Sequence, residues 1–398
     1  MRANIAAIRS SVGAGVRIEP VVKADAYGHG AVPVARALEA AGVEGFSVAT
    51  FDEAVELRMA GLHAAILVLY PVPPLFAGEA ARLDIVLSVG DDVLLERLLA
   101  AVPDGAAEHQ LRLQIEVETG LGRGGVLPER LAAVAAAIAR SPGVRLDAVW
   151  SHLQAPGDAT RTATQRARFD AGADAVRDRG GARVARHIAA SGGLVAGVPA
   201  YEAVRPGLAT YGIVPDDMAG VDSALAARLR PVLALRARPV RVVDLPAGWG
   251  ISYGPSFETR RPTRIATLPL GYGDGWSRTL SNRAEALVRG RRVPLVGTVA
   301  MDAVMADVTD VPGRPVDVDD ELTLIGRDGD EAITAVDVAR ARSTISWEVV
   351  TAMSRRLPRV YHAAAGPVGM RTLNGEEELW PGSSSGTATS ATSRSTRS

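Results

Sequence analysis

The sequence contains no cysteine in its 398 residues, and aromatic residues make up only 4% of it. The lack of cysteine excludes disulfides, cysteine-ligated metal sites and a thiol nucleophile. Hydrophobic residues nevertheless account for 47% of the chain, and its length is enough for two domains that each bury a core. With so few aromatics, that core must consist mainly of alanine, valine and leucine.

An excess of charge of either sign is also lacking. The 44 basic and 45 acidic residues are interspersed and give a net charge of −1. No basic patch therefore predicts a nucleic-acid or membrane partner. No apolar run reaches transmembrane length, and residues 1–20 lack the layout of a signal peptide. We expect a cytoplasmic protein that binds no nucleic acid, no membrane and no metal ion.

Short apolar runs alternate with helical segments between residues 18 and 208. The strand candidates are Ile18–Val22, Phe46–Ala49, Ile66–Leu69, Ile85–Ser88, Leu111–Val117, Leu146–Trp150, Arg183–Ile188 and Ala203–Arg205. Eight strands, each followed by a helix, predict a (β/α)8 TIM-type barrel. An open doubly wound sheet is the alternative, but the first turn has no Gly-x-Gly-x-x-Gly motif.

The pattern changes after residue 226 to alternating runs rich in β-branched residues. These runs are Val232–Val243, Arg264–Pro269, Ala284–Val288, Arg292–Val296, Val304–Val308 and Leu322–Ile325. Turn residues separate them, which predicts a mostly antiparallel β domain. Helices should follow at Ala335–Arg342 and Ile345–Arg355. We therefore predict a barrel at residues 1–226, a β domain at 227–380 and a disordered tail, rich in serine, threonine and arginine, at 381–398.

One lysine stands in an unusual position. Lys23 directly follows an apolar run and precedes a tight turn that contains Gly28 and Gly30. An isolated lysine at a strand end usually points to water. A strand-to-helix turn of this kind, however, is where barrels place functional residues, and a partly desolvated lysine can lose its proton and attack a carbonyl.

Other polar residues fall at the same end of the predicted strands, where barrels carry their sites. The candidates are Lys23, Arg123, His152, His187 and Arg205. Either histidine alone is more simply explained as a core imidazole, but five such residues at one rim predict a site. Ser191 and the segment 205–208 lie after strands seven and eight, where barrels commonly bind phosphate.

The segment Val21–Gly30 closely resembles the pyridoxal-phosphate lysine segment of alanine racemases. Three later segments resemble motifs of that family in the same order: Ile251-Ser252-Tyr253-Gly254, Gly271-Tyr272-Gly273-Asp274-Gly275 and Gly297-Thr298-Val299-Ala300-Met301-Asp302. The resemblance spans residues 2–361. It implies a two-domain, fold-type III enzyme that uses pyridoxal 5'-phosphate to interconvert L-alanine and D-alanine, which bacteria need for peptidoglycan.

The resemblance also implies roles for individual residues. Lys23 would hold the cofactor covalently, and the phosphate would be held by Tyr27, Ser191, Gly207 and Leu208. Arg205 would face the pyridine nitrogen and leave it unprotonated, because an arginine does not give up its proton. Arg123 and Met301 would orient the substrate carboxylate. His152, His187 and Trp347 would also lie beside the cofactor.

Racemisation in that family uses one base on each face of the α-carbon, here Lys23 and Tyr253. A tyrosine, with its ordinary pKa of about 10, needs a cationic setting to act as a base. A chain from Tyr253 through His152 to Arg205, supported by His187, would supply that setting.

In the same family the second base and its neighbours come from the other subunit. The resemblance therefore implies a homodimer with shared active sites, each receiving Tyr253, Tyr272 and Met301 from the partner. A strand normally precedes the lysine segment in that family, and we expect this chain to lack it.

Three positions depart from the family pattern. Glu116 stands where many members have a carbamylated lysine, and we hypothesise that its charge orients Arg123. Trp347 replaces a tyrosine that touches the phosphate, and since an indole accepts no hydrogen bond, we predict altered selectivity, toward serine. Ala190 precedes Ser191 where an asparagine is common, which removes one polar partner.

Three alternatives accompany the alanine racemase interpretation. One is an amino-acid racemase of broader specificity, and serine is its first candidate substrate. Another is a non-catalytic pyridoxal-phosphate-binding protein, although such proteins lack the second domain and its tyrosine. The third is a decarboxylase, which would be expected to use a cysteine.

Overall fold

Eight short parallel strands form the ring of a barrel. They are β1 (Arg17–Ile18), β2 (Gly45–Val48), β3 (Ala65–Val68), β4 (Ile85–Val89), β5 (Leu111–Glu116), β6 (Val144–Trp150), β7 (Ala185–His187) and β8 (Ala203–Val204). Strands β2 to β7 form one sheet, and β1 pairs with β8. Single parallel bridges, Val21 to Ser47 and Ala190 to Arg205, join that pair to the two edges of the sheet. The predicted barrel is confirmed.

The computed structural model describes residues 1–102, 109–180, 184–218 and 220–378. Two units make up the chain, the first Met1–Ser354 and the second from Arg355 onward. The domain boundary at residues 226 and 227 stays a prediction, and the predicted disordered tail lies outside the described residues. Within the described residues, no helix combines the length and the apolar character needed to cross a bilayer.

Helices cover the outside of the barrel strands. They are α1 (Arg2–Val12), α2 (Ala31–Glu39), α3 (Phe51–Met59), α4 (Ala77–Arg82), α5 (Asp92–Ala101), α6 (Leu131–Ala139), α7 (Ala159–Gly180) and α8 (Ser191–Val195). Helix α1 was not predicted, although Ile5 and Ile8 lie one turn apart and are buried. The Asn4 amide ties α1 to the rest of the unit by donating to the carbonyls of Thr210 and Arg230 at 3.1 and 2.9 Å.

Antiparallel strands build the remainder of the first unit, as predicted. They are β9 (Leu235–Ala237), β10 (Arg241–Leu245), β11 (Thr263–Leu268), β12 (Glu285–Val288), β13 (Arg291–Val296), β14 (Val304–Asp307), β15 (Leu322–Asp328) and β16 (Glu331–Ile333). The continuous run expected at Val232–Val243 is wrong, because β9 pairs with β15 whereas β10 pairs with β11. Pro239, which has no N–H to donate to a ladder, lies between them.

Two helices, α9 (Ala335–Arg342) and α10 (Ser346–Thr351), end the first unit. Helix α9 has the predicted bounds, whereas α10 is shorter than the predicted Ile345–Arg355. The second unit is an antiparallel meander of β17 (Arg359–Ala363), β18 (Gly366–Thr372) and β19 (Gly375–Glu378). These strands were not predicted, although Asn374-Gly375 is a typical hairpin signal.

Candidate active site

Lys23 begins one turn of left-handed helix, Lys23–Gly28, in the loop that follows the first barrel strand. Four consecutive residues other than glycine have φ between 52° and 55°: Ala24, Asp25, Ala26 and Tyr27. This conformation costs L-residues roughly 1–2 kcal/mol each. Such a turn persists only when surrounding contacts hold it, and strained backbone of this kind is typical of functional sites.

Aromatic stacking holds one side of the left-handed turn. The His29 Nδ1 lies 2.9 Å from the carbonyl oxygens of both Ala26 and Tyr27. The rings of His29 and Tyr27 both stack on Tyr211, with centroids 4.4 and 5.2 Å away. The Tyr211 hydroxyl in turn donates to the carbonyl of Val21 at 2.9 Å. The buried Tyr27 ring therefore has a fixed place beside Lys23.

Lys23 itself is only partly exposed. Burial lowers the pKa of its ammonium group, the charge of Arg123 lowers it further, and Glu53 opposes both effects. A lowered pKa increases the fraction of neutral amine, which is the nucleophilic form of a lysine.

A cavity of about 330 Å³ opens at the carboxyl ends of the barrel strands. Nine of the predicted site residues line it: Lys23, Tyr27, Arg123, His152, Ser191, Arg205, Gly207, Leu208 and Trp347. Three further predicted residues, which come from the motifs of the second domain, do not line this cavity. Tyr253, Tyr272 and Met301 lie on the surface with 76%, 43% and 53% of their area exposed.

Arg205 is buried beneath the cavity in a network of fixed partners. Its Nη2 donates to the carbonyl of Ser151 at 2.6 Å, and its Nη1 donates to the ring of His187. The guanidinium carbon lies 4.8 Å from the centre of the Trp150 ring. Burial lowers the pKa of Arg205 to about 10, so the group stays charged at neutral pH.

His152 faces the same cavity as a neutral imidazole. Burial lowers its pKa to about 3, and the charges of Arg205, Arg123 and Lys23 add to that effect. Within the described residues the His152 ring makes no hydrogen bond. The chain from Tyr253 through His152 to Arg205 stays a prediction, and His152 and Arg205 line the same cavity.

A backbone cradle lies between Ser191 and Tyr27. The Ser191 hydroxyl oxygen accepts from the N–H groups of Gly207 and Ala209 at 2.8 and 3.1 Å. A Cβ atom at Gly207 would lie 2.7 Å from the Tyr27 hydroxyl, so this position requires a glycine. The Ser191 hydroxyl still has its own proton to donate, and with the Tyr27 hydroxyl beside it this end of the cavity is suited to bind a phosphate.

Arg123 extends over the opposite side of the cavity. Its Nη2 lies 3.2 Å from a carboxylate oxygen of Glu116, and its guanidinium carbon lies 5.6 Å from the centre of the Tyr70 ring. Tyr70 was not predicted as a site residue, although it follows β3 at the same end of the strands as the predicted residues. Burial raises the pKa of Glu116, while the hydrogen bond from Arg123 opposes that rise.

Trp347 reaches the cavity from the short helix α10. The Ser346 N–H donates to an Asp216 carboxylate oxygen at 2.9 Å, and this contact fixes the start of the helix. Gly28 packs so closely on α10 that an added Cβ would lie 2.1 Å from the carbonyl oxygen of Val350. The left-handed turn and Trp347 are therefore parts of one packed assembly.

Comparisons with known proteins agree with this geometry. Residues 1–215 match the family model "Alanine racemase, N-terminal domain", and residues 232–361 match "Alanine racemase, C-terminal domain". The alanine racemase of Symbiobacterium thermophilum is 41% identical over 376 residues, covering 91% of this chain and 94% of the relative. That of Sorangium cellulosum is 40% identical over 353 residues, covering 86% and 90%.

Solved structures similar to this chain are also alanine racemases. The crystal structure of alanine racemase from Bacillus anthracis with bound L-Ala-P has a TM-score of 0.85 and 32% identity, covering 93% of this chain and 95% of that one. Alanine racemase from Streptomyces coelicolor has a TM-score of 0.80 and 34% identity, covering 90% and 95%.

Proposed function

Because this chain belongs to the alanine racemase family, we propose that the cavity around Lys23 is where it interconverts L-alanine and D-alanine. The chain is an amino-acid isomerase. The observation that carries the site assignment is the cavity itself, which brings Lys23, Arg123 and Arg205 together with the hydroxyl-bearing residues Tyr27 and Ser191.

The cofactor of this reaction is pyridoxal 5'-phosphate, and the residues present fit it. Tyr27, Ser191, Gly207 and Leu208 would hold its phosphate, and Trp347 would lie beside it. Support comes from Gly207, where the missing side chain leaves room against the Tyr27 hydroxyl. When bound at Lys23, this cofactor supplies an electron sink for the charge that develops at the substrate α-carbon.

Arg205 and Arg123 would orient the two bound molecules. Arg205 remains charged and keeps its proton at neutral pH, so it would donate to the pyridine nitrogen and leave it unprotonated. Its contacts with His187 and Ser151 hold the guanidinium in place. Arg123, with Met301, would bind the substrate carboxylate.

Two bases would move the α-proton, Lys23 on one face and Tyr253 on the other. Tyr253, Tyr272 and Met301 are exposed and outside the cavity of their own chain, which supports a homodimer in which each site receives these residues from the partner. The neutral imidazole of His152 would orient Tyr253. Such an enzyme would act in the cytoplasm and supply D-alanine for peptidoglycan.

Deuterium exchange in heavy water tests this proposal. The holoenzyme is incubated with L-alanine while α-deuterium uptake and optical rotation are followed together. We expect exchange with loss of rotation, and Tyr253→Phe should abolish exchange from one face. Exchange with rotation retained would show that only one base acts. Absence of exchange would point to another substrate, serine first, or to a cofactor-binding protein without catalysis.

A second candidate function, racemisation of serine, rests on Trp347. Its indole lines the cavity with Thr351 and replaces a hydroxyl with an N–H donor. The ratio of kcat/KM for alanine to kcat/KM for serine, measured in the wild type and in Trp347→Tyr, separates the two. A ratio that rises in the variant would support the broader specificity, whereas an unchanged ratio would show that Trp347 does not broaden it.

A further inference from the structure

The Glu53 carboxylate links the two loops that follow β1 and β2. Glu53 Oε1 accepts from the N–H of Ala24 at 2.6 Å, which lies in the left-handed turn after β1. Its Oε2 accepts from the N–H groups of Ala49 and Thr50, after β2, at 2.8 and 3.1 Å. The Glu53 side chain is thereby held at both oxygens by backbone groups.

The contact with Ala24 falls where the strained turn begins. Ala24 directly follows Lys23 and is the first of the four residues in the left-handed conformation. Because an isolated turn of this kind is unfavourable, the orientation of the peptide between Lys23 and Ala24 depends on the group that accepts its N–H. That group is Glu53, which is 29 positions away in the sequence.

The charge of Glu53 also acts on the lysine. Burial and Arg123 lower the pKa of Lys23, and Glu53 opposes them. A glutamine at this position would keep one carbonyl oxygen but lose the charge and the second acceptor oxygen. Ala24 and the pair Ala49 and Thr50 would then compete for one amide oxygen, which weakens the contact with Ala24.

We propose that Glu53 is the positioning residue of Lys23, which fixes the left-handed turn and so the place from which the lysine side chain projects. Glu53 touches neither cofactor nor substrate in this role. This role of Glu53 rests on the proposed function, because racemisation of alanine is one of the two quantities that test it.

The test compares Glu53→Gln with substitutions at two neighbouring positions at the start of helix α3. Thr50→Ala removes the other half of the capping box, in which the Thr50 hydroxyl accepts from the Glu53 N–H at 3.3 Å. It weakens the helix cap but leaves the Ala24 contact intact. Asp52→Asn removes an exposed charge beside Glu53 and controls for charge alone.

Two quantities are measured on each holoenzyme, the steady-state constants for L-alanine and the hydrogen exchange of the peptide that contains Ala24. In Glu53→Gln we expect kcat to fall about tenfold or more with KM within about threefold, and the Ala24 amide to exchange about tenfold faster. Asp52→Asn should match the wild type. Thr50→Ala should lower the melting temperature while keeping kcat and the Ala24 exchange rate.

Glu53→Gln with wild-type kcat and wild-type exchange at Ala24 would overturn the proposal. So would Thr50→Ala losing as much kcat as Glu53→Gln at an equal loss of melting temperature, because stability alone would then explain both. Glu53→Asp serves if the glutamine variant does not fold, and the shorter carboxylate should give faster Ala24 exchange. If the wild type does not racemise alanine, the proposed function fails, while the exchange comparison still decides the role of Glu53.

Discussion

The buried Arg205 guanidinium donates to Nδ1 of His187, and this contact fixes which nitrogen of the imidazole carries the proton. Because Nδ1 accepts, the proton must lie on Nε2, which is 2.8 Å from the amide oxygen of Gln114. Burial, and next the charge of Arg205, hold the pKa of His187 well below its usual value. His187 is therefore a neutral link between the arginine and the barrel interior.

Two neutral histidines, the half-buried His152 and the fully buried His187, should make stability depend on pH. Their pKa values are lowered in the folded state. Below a pH of about 6.5, the unfolded chain therefore binds more protons at these histidines than the folded chain does. Their contribution is complete well above that pH and is lost as the pH falls, and the loss approaches about 1.4 kcal/mol per pH unit for each histidine well below a pH of about 6.5.

Urea unfolding between pH 5.5 and 7.5, at one protein concentration, measures this dependence. We expect the wild type to lose about 1.4 kcal/mol more stability than His152→Gln over this whole pH range, because an unfolded histidine gains most of its proton within it. The exposed His63 supplies the control, since His63→Gln should leave the slope unchanged. Equal slopes in the wild type and His152→Gln would contradict the prediction.

Gly207→Ala should weaken binding of pyridoxal 5'-phosphate about tenfold, because the new methyl group would lie 2.7 Å from the Tyr27 hydroxyl. Tyr27→Phe in the same chain removes that hydroxyl and should recover part of the loss. Titration of the cofactor-depleted variants, followed by absorbance, measures both effects. Gly15→Ala, where an added Cβ meets no atom within 4 Å, is the control. Strictly additive losses in the double variant would argue against a steric cause.

Glu116→Gln should raise KM for alanine about threefold to tenfold, because Arg123 loses the carboxylate 3.2 Å from its guanidinium. The glutamine keeps a carbonyl acceptor, so the change isolates the charge. Steady-state kinetics with and without added bicarbonate measure the effect, and bicarbonate should change neither protein. A wild type that requires bicarbonate, with an unaffected variant, would show that another group orients Arg123.

Lys23→Ala and Tyr253→Phe should complement each other when the two chains are co-expressed. If each site takes the lysine from one chain and the tyrosine from the other, a mixed dimer contains one intact site. Random pairing then restores about a quarter of wild-type activity. The separate variants, mixed as preformed dimers without exchange, are the control. Recovery near zero after co-expression would place both bases on one chain.

Parallel strands made much of the site predictable, because their carboxyl ends meet at one rim. Lys23, Arg123 and His152 follow strands that local patterns identify, and the same rule would have found Tyr70. The left-handed turn was not predictable, since alanine and tyrosine have no preference for positive φ. Its conformation depends on Glu53, a contact that a local pattern does not contain.

The residues of the cavity are separated along the chain, and this affects how the protein is made. Lys23 leaves the ribosome early, whereas Trp347 follows 324 positions later, about half a minute at about 10 residues per second. During synthesis the lysine amine stays open to water, with the pKa of an ordinary lysine. The cavity around the lysine is complete only when the last barrel strand and α10 have been added, so a chain that stops before α10 lacks part of the lining.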